Sequence, residues 1–226
     1  MILAAGRGER MRPLTDHIPK SLLQVAGKPL IFWHLEKLAD AGFTRVVINH
    51  AHLGEQIEAA VGDGSRWNLN VLFSPESPAL ETAGGICKAL PLLREPIFAV
   101  VNADVYSSYD YAALITAIRH MEAASVAHLV LVNNPPHNPA GDFSLQRNLV
   151  CAPVGRVFTY SGIGAYRAAL FNSITPGTRH ALAPILRAQM AMGKVTGEHS
   201  DAEWDDIGTP ERLANLEARL QRASHS

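Results

Sequence analysis

Ile2-Leu3-Ala4-Ala5-Gly6-Arg7-Gly8-Glu9-Arg10-Met11-Arg12-Pro13-Leu14-Thr15, followed by Pro19-Lys20-Ser21-Leu22, decides how the rest of the chain is read. A brief apolar run, Ile2 to Ala5, passes straight into a glycine turn, the pattern of a short strand ending in a loop. In an open α/β sheet such a loop lies at the carboxyl edge of the strands, where ligands bind. Gly6 and Gly8 let backbone N–H groups approach an anion, and Arg7, Arg10, Arg12 and Lys20 add four cations, so the loop suits a polyphosphate. Two familiar phosphate loops fail on spacing. A dinucleotide fingerprint wants a third glycine where Met11 stands, and Gly27-Lys28-Pro29 has neither the first glycine nor the hydroxyl of a Walker A loop.

Outward from this loop, apolar runs alternate with helical patterns. Leu30 to Ala41 carries one apolar stripe closed by Gly42, and Leu53 to Val61 is a shorter amphipathic helix stopped by Gly62. Ala83 to Leu93, Tyr111 to Ala124, Ala181 to Met192 and Pro210 to Arg222 are the remaining expected helices. Val46 to Asn49, Val71 to Phe73, Ile97 to Val101 and Leu129 to Val132 are expected strands, apolar throughout. Such strands separated by helices imply a sheet covered on both faces, with mainly parallel strands. After the Asn- and Pro-rich stretch from Asn133 to Gly141 the texture becomes β-rich. A hairpin is expected at 143–151, and a strand at Val157 to Tyr166 contains Gly162 and Gly164. One domain over residues 1–222 with a small β-rich annex, and a disordered tail at 223–226, is the expected organisation.

Composition narrows the classes. Of 226 residues, 47% are hydrophobic and 18% charged; 20 Lys+Arg against 21 Asp+Glu give a net charge of −1. Enough apolar material exists for a core, and no basic excess exists to grip nucleic acid through its phosphates. Cys87 and Cys151 match no zinc spacing and are expected as reduced thiols. No stretch approaches the length of a membrane span, so a cytoplasmic protein without a membrane partner is expected.

Two acidic segments complete the candidate site. Asp104, in Val100-Val101-Asn102-Ala103-Asp104, stands just past a buried strand, where it could hold Mg2+ against a phosphate or simply cap the next helix. Asp206, in Trp204-Asp205-Asp206-Ile207-Gly208-Thr209-Pro210, gains interest alongside Asp104, although Thr209 and Pro210 read equally as a helix start. His50 and His52 offer no third ligand and read as a loop pair.

The first motif, with Pro19-Lys20, Asn102-x-Asp104 and Asp206-Ile207-Gly208-Thr209-Pro210, resembles the signature of the sugar-1-phosphate nucleotidyltransferases. The likeness runs from Ile2 to about Leu216. It implies a Rossmann-like three-layer α/β/α sandwich with a mostly parallel mixed sheet, and UTP and a sugar 1-phosphate as partners of a monomer or small homo-oligomer. It further implies that Ala4, Ala5 and Gly6 contact the base, that Gly8 and Arg10 hold the triphosphate, and that Lys20 reaches the α-phosphate. Thr82, Ala83 and Gly84 would line base and ribose; Asn102, Gly141 and Gly162 would face the sugar. Asp104 and Asp206 would ligate Mg2+, with Arg10, Lys20 and Asp104 as the catalytic set. The chain departs from the pattern at Ala83 and Ala103, where relatives often carry glycine, and at Ser21, a frequent proline. The lysine that grips the sugar phosphate in larger relatives is missing around 152–156, where Arg156 is the cation on offer. No appended β-helix is expected. Other bases (GTP with mannose 1-phosphate, CTP with a phosphorylated alcohol) and a non-catalytic nucleotide-sugar sensor remain alternatives, whereas Met11 speaks against a nicotinamide oxidoreductase.

Overall fold

A computed structural model describes residues 1–223. In chain order the elements are β1 (Ile2–Leu3), β2 (Gln24–Val25), β3 (Lys28–Pro29), α1 (Leu30–Asp40), β4 (Arg45–His50), α2 (Gly54–Val61) and β5 (Asn70–Pro75). Then come α3 (Glu81–Leu93), β6 (Ile97–Asn102), β7 (Val105–Ser107), α4 (Tyr111–His120), β8 (Ala127–Val132), β9 (Phe143–Gln146) and β10 (Leu149–Cys151). The last are β11 (Val157–Arg167), α5 (Leu182–Met190), β12 (Val195–Ser200), β13 (Trp204–Asp206) and α6 (Pro210–Ala223).

Nine strands form one sheet in the order β5-β4-β1-β6-β11-β8-β12-β10-β9, and β9 also pairs with the start of β11. Strands β5, β4, β1 and β6 are mutually parallel, as are β8 and β12. Only β10 and β11 run against the common direction, so the sheet is mixed but mostly parallel. The α/β class expected from the sequence is the class observed.

Period-two alternation assigns the strand residues to two cores. Val47, Phe98, Val100, Leu129 and Leu131 face α3 and α5, where Ile86, Leu93, Leu182 and Leu186 meet them. Val46, Ile48, Ala99, Val101 and Val130 face the other way, against Ile31, Leu35, Ile57 and Leu114 of α1, α2 and α4. Helix α1 has no side-chain N-cap. Its four buried Leu and Ile side chains, each contributing about 1.5–3 kcal/mol, outweigh the ~1 kcal/mol of a missing cap. Gly42, at φ +93°, ends it.

A third cluster of Met11, Leu23, Val25, Leu30, Tyr106, Ile207 and Leu216 lies beneath the glycine loop. Met11, fully buried, therefore anchors that loop into its own small core.

The structure departs from expectation in several places. Helix α4 stops at His120 rather than Ala124, because Arg167 takes the carbonyls of Glu122 and Ser125 and the chain turns there into β8. Strand β1 is only two residues long, since the Ala4 N–H turns to the Asn49 backbone and side chain. Strands β2, β3, β7, β12 and β13 were not expected. Ala223 belongs to α6 rather than to a tail, and 224–226 lie outside the described residues. Both cysteines are free, Cys87 buried and Cys151 half-buried. No helix among the described residues is long and apolar enough to cross a membrane.

Candidate active site

The glycine loop is held in shape at Gly8. This residue sits at φ +69°, and its carbonyl accepts from Thr15 Oγ1 (2.8 Å) and from the Met11 N–H (2.8 Å). A Cβ there would come within 3.0 Å of Thr15 Cγ2 and 3.2 Å of Lys20 Cβ, so both the backbone angle and the close approach require glycine. The packing brings Lys20 under the loop. Its ammonium, on a side chain only 11% exposed, donates to Asp104 Oδ2 at 2.5 Å across 84 residues of sequence.

A cavity of about 370 Å³ opens at this sheet edge. Ala4, Ala5, Gly6 and Gly8 line one side; Lys20, Thr82, Asn102 and Asp104 line the others. Strand β13 pairs antiparallel with β7, setting Asp206 opposite Val105, and the Ile207 N–H donates to the Asp104 carbonyl (2.7 Å). The two acidic segments thus adjoin through their backbones. Adjacent strand residues point to opposite faces, which separates the two aspartates of β13. Asp205 is ion-paired with Arg219 of α6, whereas Asp206 Oδ1 lies 2.6 Å from both Arg212 Nη1 and His137 Nε2.

Arg10 does not line the cavity. Its guanidinium approaches Gly208, where a Cβ would lie 3.2 Å from Nη2 and would also meet Arg212, so Arg10 stands on the Asp206 side of the site. Arg12 turns outward to Asp16 at 2.5 Å, and Arg7 remains at the rim, 3.8 Å from Glu9.

Among the described residues no group of three or more His, Cys, Asp or Glu side chains is placed to hold a metal by itself. A pair of carboxylates is the donor set Mg2+ accepts when phosphates and water fill the rest of its shell. Asp104 and Asp206 are carboxylates of that kind on adjoining segments, but only Asp104 lines the cavity, and Asp206 is paired with Arg212 and His137.

On the Thr82 side of the cavity, Ala83 and Gly84 are turned to the 178–181 segment. Neither lines the cavity; both donate their N–H to the His180 carbonyl, at 3.0 and 3.1 Å. A Cβ on Gly84 would overlap the Thr178 carbonyl, so this glycine serves the docking of the 178–181 segment onto α3. Glu81 and Thr82 take their place as lining residues, with Arg179 paired to Glu81 at 3.0 Å. The Ala4 N–H is likewise engaged, by Asn49 Oδ1 (3.0 Å), which leaves the Ala4 carbonyl as its polar group for a base.

Asn49 also donates to the buried Glu76 (2.7 Å), whose other oxygen accepts from the Leu80 N–H (2.7 Å), fixing the turn before α3. The sequence reading assigned no site role to Asn49, Glu76, Glu81 or Arg179. Asn49 and Glu81 lie in stretches similar to the family but carried no assigned role, and only the β4–β5 pairing and the return of the 178–181 segment bring the four together.

A second cavity, of about 420 Å³, shares Leu3, Glu81, Thr82 and Asn102 with the first. Its remaining wall is mostly apolar: Val100, Phe143, Tyr160, Ala181, Leu182, Ala183 and Leu186. Gly162 does not reach it. At φ +76°, in the β11 irregularity, Gly162 packs behind Asn102, where a Cβ would lie 2.7 Å from Nδ2. Gly141 lines neither cavity; it packs against Asn134 and Val157. Arg156 is also outside both, its guanidinium 4.8 Å over the Phe158 ring.

A family model for nucleotidyl transferases matches residues 1–143, and the chain belongs to that family. It is 52% identical over 222 residues to an N-acetylmuramate alpha-1-phosphate uridylyltransferase of Neisseria meningitidis, covering 96% of each chain. It is also 29% identical over 241 residues to a mannose-1-phosphate guanylyltransferase of Mycobacterium tuberculosis, covering 98% of this chain and 64% of that one. A solved structure from Bacillus anthracis, assigned as a glucose-1-phosphate thymidylyltransferase and complexed with a sucrose, superposes with a TM-score of 0.84. That match, at 20% identity, covers 97% and 94% of the two chains and bears on the fold alone.

Proposed function

We propose that the protein transfers the uridylyl group of UTP to N-acetylmuramate 1-phosphate, releasing pyrophosphate and forming UDP-N-acetylmuramate. The full-length identity to the Neisseria uridylyltransferase supports the choice of base and sugar. The observation that carries the chemistry is the convergence of Lys20 on Asp104, with the Asp206 strand bonded alongside, beneath the glycine loop.

The acceptor phosphate is largely a dianion at neutral pH, its second ionisation lying near about 6, so the attacking oxygen needs no general base. That oxygen forms a new bond to the α-phosphorus of UTP while the bridging bond to the β-phosphate breaks. Aligning two mutually repelling anions and neutralising the charge that develops is the whole task. Lys20 has three donors; one is held by Asp104, which orients the ammonium and leaves two for the α-phosphate. Arg10 and the loop N–H groups around Gly8 hold the β- and γ-phosphates. Asp104 and Asp206 would hold Mg2+, which would supply further charge neutralisation at the phosphates. The base rests on the backbone of Ala4, Ala5 and Gly6 and on Thr82, and the sugar rests against Asn102 in the second cavity.

The same reading makes residues 1–222 a single nucleotidyltransferase domain, working in the cytoplasm as a monomer or small homo-oligomer in peptidoglycan recycling. A pyrophosphate-release matrix tests it: UTP, GTP, CTP, dTTP and ATP against the 1-phosphates of N-acetylmuramate, N-acetylglucosamine, glucose and mannose. Turnover should concentrate on UTP with N-acetylmuramate 1-phosphate. Preference for GTP with mannose 1-phosphate overturns the assignment, and absence of turnover with every pair overturns the activity.

A further inference from the structure

N-acetylmuramate 1-phosphate differs from N-acetylglucosamine 1-phosphate by a lactyl ether that ends in a carboxylate. Placing that anion in a mostly apolar compartment without a partner costs several kcal/mol or neutralises it, so selecting it calls for a cation at the edge of the second cavity. That cavity's own wall contains no Lys, Arg or His. Three cations line the adjoining nucleotide cavity: Arg7, Lys20 and Arg179. Lys20 is committed to Asp104, and Arg7 belongs to the phosphate loop beside Glu9. Arg179 stands elsewhere, on Glu81, one of the residues common to both cavities.

We propose that Arg179, held by Glu81 where the two cavities meet, binds the lactyl carboxylate of the acceptor and so selects N-acetylmuramate 1-phosphate over N-acetylhexosamine 1-phosphates that lack the carboxylate. The inference rests on the uridylyltransferase reading above and names the specificity residue of that site.

The segment that carries Arg179 is fixed in advance. Its neighbour His180 donates its N–H to the Leu80 carbonyl (3.0 Å) and accepts from two N–H groups of α3, while Thr178 Oγ1 bonds the Thr175 carbonyl (2.6 Å). The Glu81 contact is a single Nη2–Oε1 interaction, and a guanidinium has five N–H donors in a planar fork. Donors therefore remain for a second carboxylate in the paired geometry that arginine favours. Ala181 to Ala183, the start of α5, lines the acceptor cavity just beyond. The first N–H groups of a helix lack partners within it, and this positive end reinforces the attraction for an anion.

Steady-state kinetics of wild type, Arg179→Met and Arg179→Lys, with UTP and each of the two N-acetylhexosamine 1-phosphates, test the proposal. With Arg179→Met, kcat/KM for N-acetylmuramate 1-phosphate should fall about ten- to a hundredfold, the worth of one charge-assisted hydrogen-bonded pair. The loss of kcat/KM with N-acetylglucosamine 1-phosphate should be at least about tenfold smaller, and Arg179→Lys should recover part of the loss. Equal losses on both acceptors, or a loss confined to the KM for UTP, overturn Arg179 as the selector while leaving the activity in place. A wild-type enzyme that does not prefer the lactyl sugar overturns the uridylyltransferase assignment and this inference with it. Arg179 is well exposed, at 65% of its side chain, so the variants should fold.

Discussion

Replacing Lys20 with alanine separates a catalytic cation from a structural one. The ammonium is 11% exposed and 2.5 Å from an Asp104 carboxylate that is itself 41% exposed. Because Asp104 still reaches water, losing its partner should cost about 1 kcal/mol of stability or less, as for ion pairs at a surface. The burial of Lys20 has the opposite consequence for rate. A preorganised charge in a water-poor pocket acts on the transition state with little screening, and removing one such group typically costs about 10²–10³ in kcat, or 2.7–4 kcal/mol. Lys20→Ala should therefore lower kcat by two to three orders of magnitude (about 10²–10³) while the KM for UTP rises by only about tenfold or less. Pyrophosphate release over a grid of UTP and sugar phosphate concentrations, with urea unfolding in parallel, measures both quantities. A kcat within about fivefold of wild type would show that Lys20 does not act on the transition state. A loss of stability of about 4 kcal/mol would show instead that the pair holds the fold.

Asp104→Asn should abolish Mg2+-dependent turnover with little change in the urea midpoint, and an active variant removes Asp104 from the metal site. Glu76→Ala leaves the Asn49 amide and the Leu80 N–H without their buried acceptor. At about 1–3 kcal/mol per orphaned group, stability should drop by about 2 kcal/mol or more in urea denaturation, and a change below about 0.5 kcal/mol contradicts the network. Burial lowers the His34 pKa to about 4, against the opposing pull of the Val105 carbonyl and Asp104. The unfolded chain, near 6.5, therefore takes up a proton that the folded one refuses. His34 should leave stability untouched above pH 6.5 and withdraw of the order of 3 kcal/mol as pH falls towards 4; an unchanged pH slope in His34→Gln refutes it.

The sequence disclosed those parts of the site that short-range chemistry defines. Gly8, Thr15 and Met11 belong to one loop, and Met11 in the place of a third glycine was enough to reject a dinucleotide fingerprint. Apolar runs such as Ile97 to Val101 pointed to the layered architecture because both faces of that strand are covered. Strand β12 was hidden because it reads Val-Thr-Gly-Glu-His-Ser, a polar segment that is a strand only through its pairing with β8 and β10. The hydrogen bonding of Ala83 and Gly84 was hidden for a similar reason. Nothing local reveals that the His180 carbonyl claims both N–H groups. The pairing of Glu81 with Arg179 was equally invisible, since a surface ion pair between distant segments leaves no periodicity behind.

The second cavity borrows much of its wall from the core. Val100, Phe143, Leu182 and Leu186 bound that compartment and are at the same time members of the hydrophobic cluster that glues α5 to the sheet. Enlarging the chamber for a bulkier sugar would therefore loosen a helix, and narrowing it would strain one. A lineage drifting towards a new substrate would have to reseat α5 as it went, so sugar preference and thermal resistance should change hands together.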